Sequence, residues 1–246
     1  MKKLLLAFRS LVFYIGYVLS IIWFSTTGII FFSFLPYSIR SNYVLNWNRF
    51  IVFWLRITCG LSVEVTGREN LPDTAYVALS KHQSQWETYF LQYYLAPVCI
   101  VLKRELLKVP FFGWGLRLTD PIAIDRSNPK QALKQTLEQG KQRLARHISV
   151  LIFPEGTRTG PDKTAKYARG GANIAVAAGV PVVAIAHNAG EFWPADKFIK
   201  FPGKISVKIG KPIASTAYDS REITEQVSEW IEAEVAKMDK RVSTKR

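Results

Sequence analysis

Apolar and polar positions divide the chain into three regimes. Residues 10 to 39 contain no charge at all and are dominated by Phe, Ile, Leu, Tyr and Trp. A helix needs ~20 apolar residues to cross the hydrocarbon core, so this run is long enough. From residue 42 to residue 57 the pattern becomes two-sided. Asn42, Asn46, Arg49 and Arg56 share a helical face, interrupted by Phe53, while Trp47, Ile51, Trp54 and Leu55 lie largely away from it. That profile suits an interfacial amphipathic helix, and equally a core helix with a solvated stripe. The adjoining apolar run favours the membrane.

Beyond residue 60, short apolar runs alternate with helical periodicities. AYVAL (75–79), VCIVL (98–102), PIAI (121–124), ISVLIF (148–153), VPVVAIA (180–186) and ISVKIG (205–210) read as strands. Helices are predicted over 86–95, stopped by Pro97, and from Pro129 with Leu133, Leu137 and Leu144 on one face. Two more are predicted, over 171–178 and at the end of the chain. The last has Asp219 as N-cap, Glu222 three residues on, and an apolar face of Ile223, Val227, Trp230, Ile231, Val235 and Met238. Strands alternating with helices predict an α/β fold, a mostly parallel central sheet flanked by helices. The expected division is a membrane-associated helical segment over 1–60 and an α/β domain over 61–246.

Charge sharpens the first regime. Lys2, Lys3, Arg9, Arg40, Arg49 and Arg56 stand in residues 1–60 without one acidic residue, giving +6 of the chain's +14. A basic, apolar segment points to anionic membrane lipid rather than nucleic acid. Three of these cations precede the apolar run and three follow it, so the positive-inside rule prefers neither end. Such symmetry suits a segment that dips into one leaflet and returns, bending at Ser25, Thr26, Thr27 and Gly28 and leaving both ends cytoplasmic. The run is too long for a cleavable signal and no small-x-small site closes it. Cys59 and Cys99 form no spacing motif and read as reduced, structural thiols on a cytosolic face. There is no Walker sequence, no GxGxxG and no metal-ligand spacing, so neither nucleotide nor metal is expected.

Two stretches hold candidate chemistry. SKHQSQWET (80–88) follows a predicted strand and enters a helix, with Glu87 five residues after His82. On one continuous helix their side chains would diverge by roughly 140°, so they meet only if His82 lies in the preceding loop. A carboxylate on one ring nitrogen would fix the tautomer and stabilise an imidazolium. This fragment alone reads equally well as a capping loop. FPEGTR (153–158) follows another strand and breaks the tie. Its Gly permits a sharp turn, its Thr offers a hydroxyl, and its Arg can hold a phosphate bidentately. Glu155 would accept from a substrate hydroxyl or hold Arg158 in place. The plainer reading is a turn closed by a Glu–Arg pair.

With these blocks in this order the chain resembles the glycerolipid acyltransferases, most closely the bacterial 1-acyl-sn-glycerol-3-phosphate acyltransferases. The resemblance spans roughly residues 60 to 215. It rests on His82 with Glu87, on residues 103–126 with Lys103 and Arg126 at their ends, on FPEGTR without change, and on the strand holding Pro181. It implies acyl transfer from a coenzyme A or acyl carrier protein thioester to the sn-2 hydroxyl of lysophosphatidic acid, giving phosphatidic acid. His82 would be the general base and Glu87 its orienting partner, without an acyl-enzyme or a cofactor. Lys103, Arg126, Glu155, Gly156, Thr157 and Arg158 would bind substrate. The expected location is the inner membrane, with the catalytic domain facing the cytoplasm. Most family members carry Asp where this chain has Glu87, one methylene longer. Lys166, Arg169 and Gly170-Gly171 suit an anion site or a tight connection, His147 reads as structural, and His187 as structural or as a partner behind the site. The alternatives are transfer to another lysolipid, such as lyso-ornithine lipid, or a non-catalytic membrane lipid-binding protein.

Overall fold

The computed structural model describes residues 2–125, 127 and 129–240. Among them, seven strands form one sheet: β1 Leu61–Thr66, β2 Val77–Ser80, β3 Val98–Lys103, β4 Ile122–Ile124, β5 Ser149–Ile152, β6 Val182–His187 and β7 Gly203–Ile209. Their order across the sheet is β1-β7-β6-β2-β5-β3-β4. All neighbours are parallel except β6 and β7. The helices are α1 Lys2–Thr27, α2 Tyr37–Cys59, α3 Trp86–Tyr94, α4 Phe112–Arg117, α5 Pro129–Ala145, α6 Gly170–Ala178, α7 Ala189–Phe192 and α8 Ser220–Lys237.

Helices cover both faces of the sheet, which is why β2, β5 and β6 are buried along their whole lengths. Side chains alternate across each strand: Ala78 and Leu151 face a core shared with α1, α2 and α3, while Val77, Leu79 and Val150 face one shared with α6 and α8. The α/β architecture and mostly parallel sheet expected from the alternation are therefore present. Strand β1 and helices α4 and α7 were not predicted. β1 is an edge strand with mostly exposed side chains, and α4 and α7 are too short for their periodicity to show. The capping box at Asp219 forms as expected, with Asp219 accepting from the Arg221 and Glu222 amides. Leu133 departs from the predicted face of α5: it is exposed while Leu144 is buried.

Helices α1 and α2 form an antiparallel pair. Gly16 allows the approach, since a Cβ there would lie 2.3 Å from Trp54 Nε1. That indole donates to Phe13 O at 3.2 Å, and Arg9 Nε donates to Thr58 O at 2.6 Å. The chain does not bend at residues 25–28. It runs on through a π-helical turn, Gly28–Phe32, and reverses between Ser33 and Pro36. Thr27 stays helical by donating its hydroxyl to Trp23 O, and the stop comes from proline, which disfavours helical geometry just before it. On α2, Ile51 and Leu55 are fully buried against protein, each worth roughly 1.5–3 kcal/mol. The apolar face of α2 thus meets the core rather than lipid, and Asn42, Asn46, Arg49, Phe53 and Arg56 form the exposed stripe.

The element with an exposed apolar surface is α1. The segment Lys3–Phe32 has a mean hydropathy of 2.0, long and apolar enough to cross a membrane. Leu4, Leu5, Phe8, Leu11, Ile15, Leu19 and Trp23 are exposed along it. An apolar surface of that extent marks membrane association.

Candidate active site

Because β2 and β5 are parallel neighbours, the loops leaving their carboxyl ends emerge side by side. This adjacency brings His82 and FPEGTR together from 71 or more residues apart. β6 lies on the other side of β2, so His187 at its end joins the same edge.

His82 is held at three points. Its backbone N–H donates to Glu155 Oε1 at 2.7 Å, and its carbonyl accepts from the Thr159 amide at 2.8 Å. Its ring Nδ1 lies 2.9 Å from Glu87 Oε1. The ring also stacks on Phe153, centroid to centroid 4.2 Å at 17°. With Nδ1 donating to a carboxylate, Nε2 carries the lone pair. The side chain is 13% exposed and lines the main cavity.

Glu87 sits in the first turn of α3, fully buried. Its Oε1 accepts from the Gln83 and Ser84 amides as well, at 3.0 and 2.8 Å. These bonds fold the loop back over the helix start, and the helix dipole favours a negative charge there. Burial opposes that charge, but the imidazoles of His187 and His82 and the Ser84 amide outweigh it and hold the carboxyl below its usual value. Glu87 Oε2 is buried without a hydrogen-bond partner.

His187 is fully buried beneath the same loop. Its Nδ1 accepts from the Ala189 amide at 3.3 Å, so Nε2 is the donor to Lys81 O at 2.8 Å. Burial lowers its pKa, against the pull of Glu87, and favours the neutral ring. It is a loop support behind the site.

The FPEGTR turn separates its side chains. Gly156 has φ +72°, a left-handed conformation that glycine adopts without strain. Past it, Thr157 and Arg158 stand exposed on the cavity rim, with Arg158 Nε donating to Ser84 O at 3.1 Å. Glu155 points the other way. Its side chain is fully buried, 3.2 Å from Lys81 Nζ, and accepts from the His82 amide and the Thr159 hydroxyl. The expectation that Glu155 contacts substrate or pairs with Arg158 is thus corrected: its oxygens are turned inward and hold the loop of His82. Lys103, at the end of β3, is exposed on the rim. Arg126 lies outside the described residues.

The cavity has a volume of about 1080 Å³. One wall comes from Ile21 on α1, Val44 and Trp47 on α2 and Leu116 on α4; the other comes from Val101, Leu133 and Ile152. The exposure of Leu133 is thus exposure to the cavity. Asn48 lines it too, with a buried Nδ2 that has no hydrogen-bond partner. Gly171 serves packing, since a Cβ would lie 2.4 Å from Leu79 Cδ2. Lys166 is exposed, and His147 stands exposed after α5 at φ 57°. Both cysteines are buried free thiols, and burial raises their pKa values.

Sequence reasoning passed over Lys81, Thr159 and Tyr17. Tyr17, on α1, lines the cavity and its hydroxyl lies 2.5 Å from that of Tyr89. The one local signal was the position of Lys81 beside His82.

A match to the acyltransferase family covers residues 62–188. The chain is 44% identical over 244 residues to a 1-acyl-sn-glycerol-3-phosphate acyltransferase of Pseudomonas aeruginosa, covering 96% of this chain and 95% of that protein. It is 30% identical over 166 residues to the 1-acyl-sn-glycerol-3-phosphate acyltransferase of Saccharomyces cerevisiae, covering 65% of this chain and 54% of that one. The crystal structure of the 1-acyl-sn-glycerophosphate acyltransferase of Thermotoga maritima superposes with a TM-score of 0.80. Its sequence is 26% identical, and the match covers 99% of this chain and all of that one.

Proposed function

The chain belongs to the acyltransferase family, and from that premise we propose that it moves a fatty acyl chain from a thioester to the sn-2 hydroxyl of 1-acyl-sn-glycerol-3-phosphate, giving phosphatidic acid. The observation that carries the reading is the contact between His82 Nδ1 and Glu87 Oε1, which leaves Nε2 available at the mouth of an apolar cavity.

His82 Nε2 removes the proton from the sn-2 hydroxyl as its oxygen attacks the thioester carbonyl. Glu87 stabilises the imidazolium that forms. The tetrahedral intermediate then collapses, the thiolate departs, and the imidazolium returns the proton to sulfur. No side chain of the protein is acylated, which agrees with the burial of both cysteines. The thioester is already activated, so no cofactor is assigned.

Arg158, Lys103 and the hydroxyl of Thr157 suit the acceptor's phosphate, because they share the rim beside His82. The role follows for Arg126 from the family resemblance. The apolar walls suit acyl chains, and the contribution of α1 and α2 to one wall lets a lipid enter from the bilayer. The donor is a coenzyme A or acyl carrier protein thioester, which places the active side at the cytoplasmic face of the inner membrane, among anionic lipids.

The test is a panel of lysolipid acceptors incubated with the membrane-bound protein and a labelled acyl thioester. Labelled phosphatidic acid from lysophosphatidate is expected. Turnover of lyso-ornithine lipid in preference to lysophosphatidate would redirect the assignment, and tight lipid binding without any product would end it.

A further inference from the structure

Behind the candidate base lies a cluster of charges that the reaction itself does not use. Lys81, the residue before His82, is fully buried. Its ammonium lies 3.2 Å from Glu155 Oε2 and 2.7 Å from Glu232 Oε1, and 3.5 Å from the carbonyl of Lys163. A buried ammonium needs a counter-charge, and Glu155 alone would supply one. Glu232 is thus a second carboxylate on one cation, and the nearer of the two. It comes from the far end of the chain, in the C-terminal half of α8.

The geometry assigns Glu232 as a positioning residue for His82, acting through Lys81 and Glu155. The contacts run in one unbroken series. The Tyr167 hydroxyl donates to Glu232 Oε1 at 2.9 Å and fixes that carboxylate. Glu232 holds the Lys81 ammonium, and the ammonium holds Glu155 Oε2. Glu155 Oε1 then holds the His82 amide at 2.7 Å. Two carboxylates from different elements straddle the ammonium, and the nearer one, Glu232, holds it off Glu155. With Glu232 neutral, the ammonium shifts onto Glu155 and pulls that carboxylate from the His82 amide. The base then loses one of its three points of attachment.

This role is separable from packing. Helix α8 docks on the sheet through Ile223, Val227 and Ile231, all fully buried. Glu232 is not part of that apolar contact. Its side chain is 25% exposed and borders a polar recess of about 290 Å³, which Gln83 also lines. The recess thus reaches Gln83, the residue after His82.

The inference rests on His82 being the base, and the experiment separates the two. Steady-state rates are measured on the full chain in vesicles or detergent, with lysophosphatidate and an acyl thioester, alongside a thermal melt of each variant. Glu232→Gln should lower kcat by roughly 10- to 100-fold, the scale expected of a misplaced catalytic group, with KM for either substrate within about twofold. Glu232→Asp, which keeps the charge, should recover part of that loss. Ile231→Ala, one residue away, should lower the melting temperature yet leave kcat at 25 °C unchanged. In a Lys81→Met background, Glu232→Gln should cost nothing further, because its path is already broken.

Wild-type kcat in Glu232→Gln overturns the inference, as does an equal kcat loss in Ile231→Ala. Full additivity with Lys81→Met overturns it too. Where Lys81→Met does not fold, the comparison of Gln, Asp and Ile231→Ala decides. Undiminished turnover by His82→Ala would instead overturn the reading of His82 as the base, whatever Glu232 does.

Discussion

Nδ1 of His82 lies 2.9 Å from Oε1 of Glu87, and that one oxygen also accepts the amides of Gln83 and Ser84. A glutamate therefore serves where most of the family has an aspartate. Its extra methylene lets the carboxylate bend back from the first turn of α3 over the loop that precedes it. The longer arm is matched to the loop, and the two set the orientation of the imidazole together.

His82→Ala should lower kcat by ~10²–10⁴-fold, the usual contribution of a general base. Glu87→Gln keeps the reach but not the charge, and Glu87→Asp keeps the charge but withdraws the oxygen by roughly 1.5 Å. Both should reduce kcat more than they change KM, measured at saturating thioester. A fully active Glu87→Asp would mean that the length of the arm is immaterial and would remove the orienting role argued for it.

Arg158 is anchored through Nε to Ser84 O, leaving its terminal nitrogens for the cavity. Arg158→Ala should raise KM for the phosphate-bearing acceptor well beyond that for the thioester. Arg158→Lys should rescue little, because a lysine cannot keep the anchor and offer a fork at once. Unchanged kinetics in both variants would take Arg158 out of the site.

Burial keeps His187 neutral in the fold by lowering its pKa from 6.5. Between that value and the lower folded one, the unfolded chain binds a proton that the folded chain does not. Its contribution to stability is therefore complete above pH 6.5 and declines as the pH falls, by at most roughly 1.4 kcal/mol per unit. The lowered Glu87 carboxyl acts further into acid, adding stability above its unfolded value of 4.5 that is lost as the pH falls through its folded pKa. Melting temperatures followed from pH 8 to 5 should fall below pH 6.5. The fall should be shallower in His187→Gln, whose amide can still donate to Lys81 O. Parallel curves for the two proteins would contradict this account.

Leu11, Ile15 and Leu19 are exposed on α1 and make no part of the core. Leu11→Glu combined with Leu19→Glu should move the protein from sedimenting vesicles to the supernatant without unfolding it. Each charge placed in an apolar layer costs roughly 2.5–3.5 kcal/mol. Unaltered sedimentation would assign membrane contact to another surface.

Much of this protein is written locally in its chain. Short continuous apolar runs marked β2, β5 and β6, and Asp219 with Glu222 marked the start of α8. The five-residue step from His82 to Glu87 already required a loop before a helix. Features such as these depend on residues within one or two turns of each other, so spacing and side-chain type are enough to reveal them. Even so, spacing misplaced the reversal of the N-terminal helices. Ser25, Thr26 and Thr27 look like a break, yet their hydroxyls can be satisfied inside a helix, and the chain turns only ahead of Pro36.

What remained was settled by the order of the strands. Setting β5 against β2 carries FPEGTR to His82 across 71 residues, and it is this neighbourhood that turns Glu155 inward, away from the cavity. Nothing in the sequence near Lys81 or near Glu232 points to the other. Their pairing 151 positions apart follows from how α8 docks on the sheet. No local pattern encodes that docking, because a buried charge is stabilised by whichever opposite charge the assembled fold brings within reach.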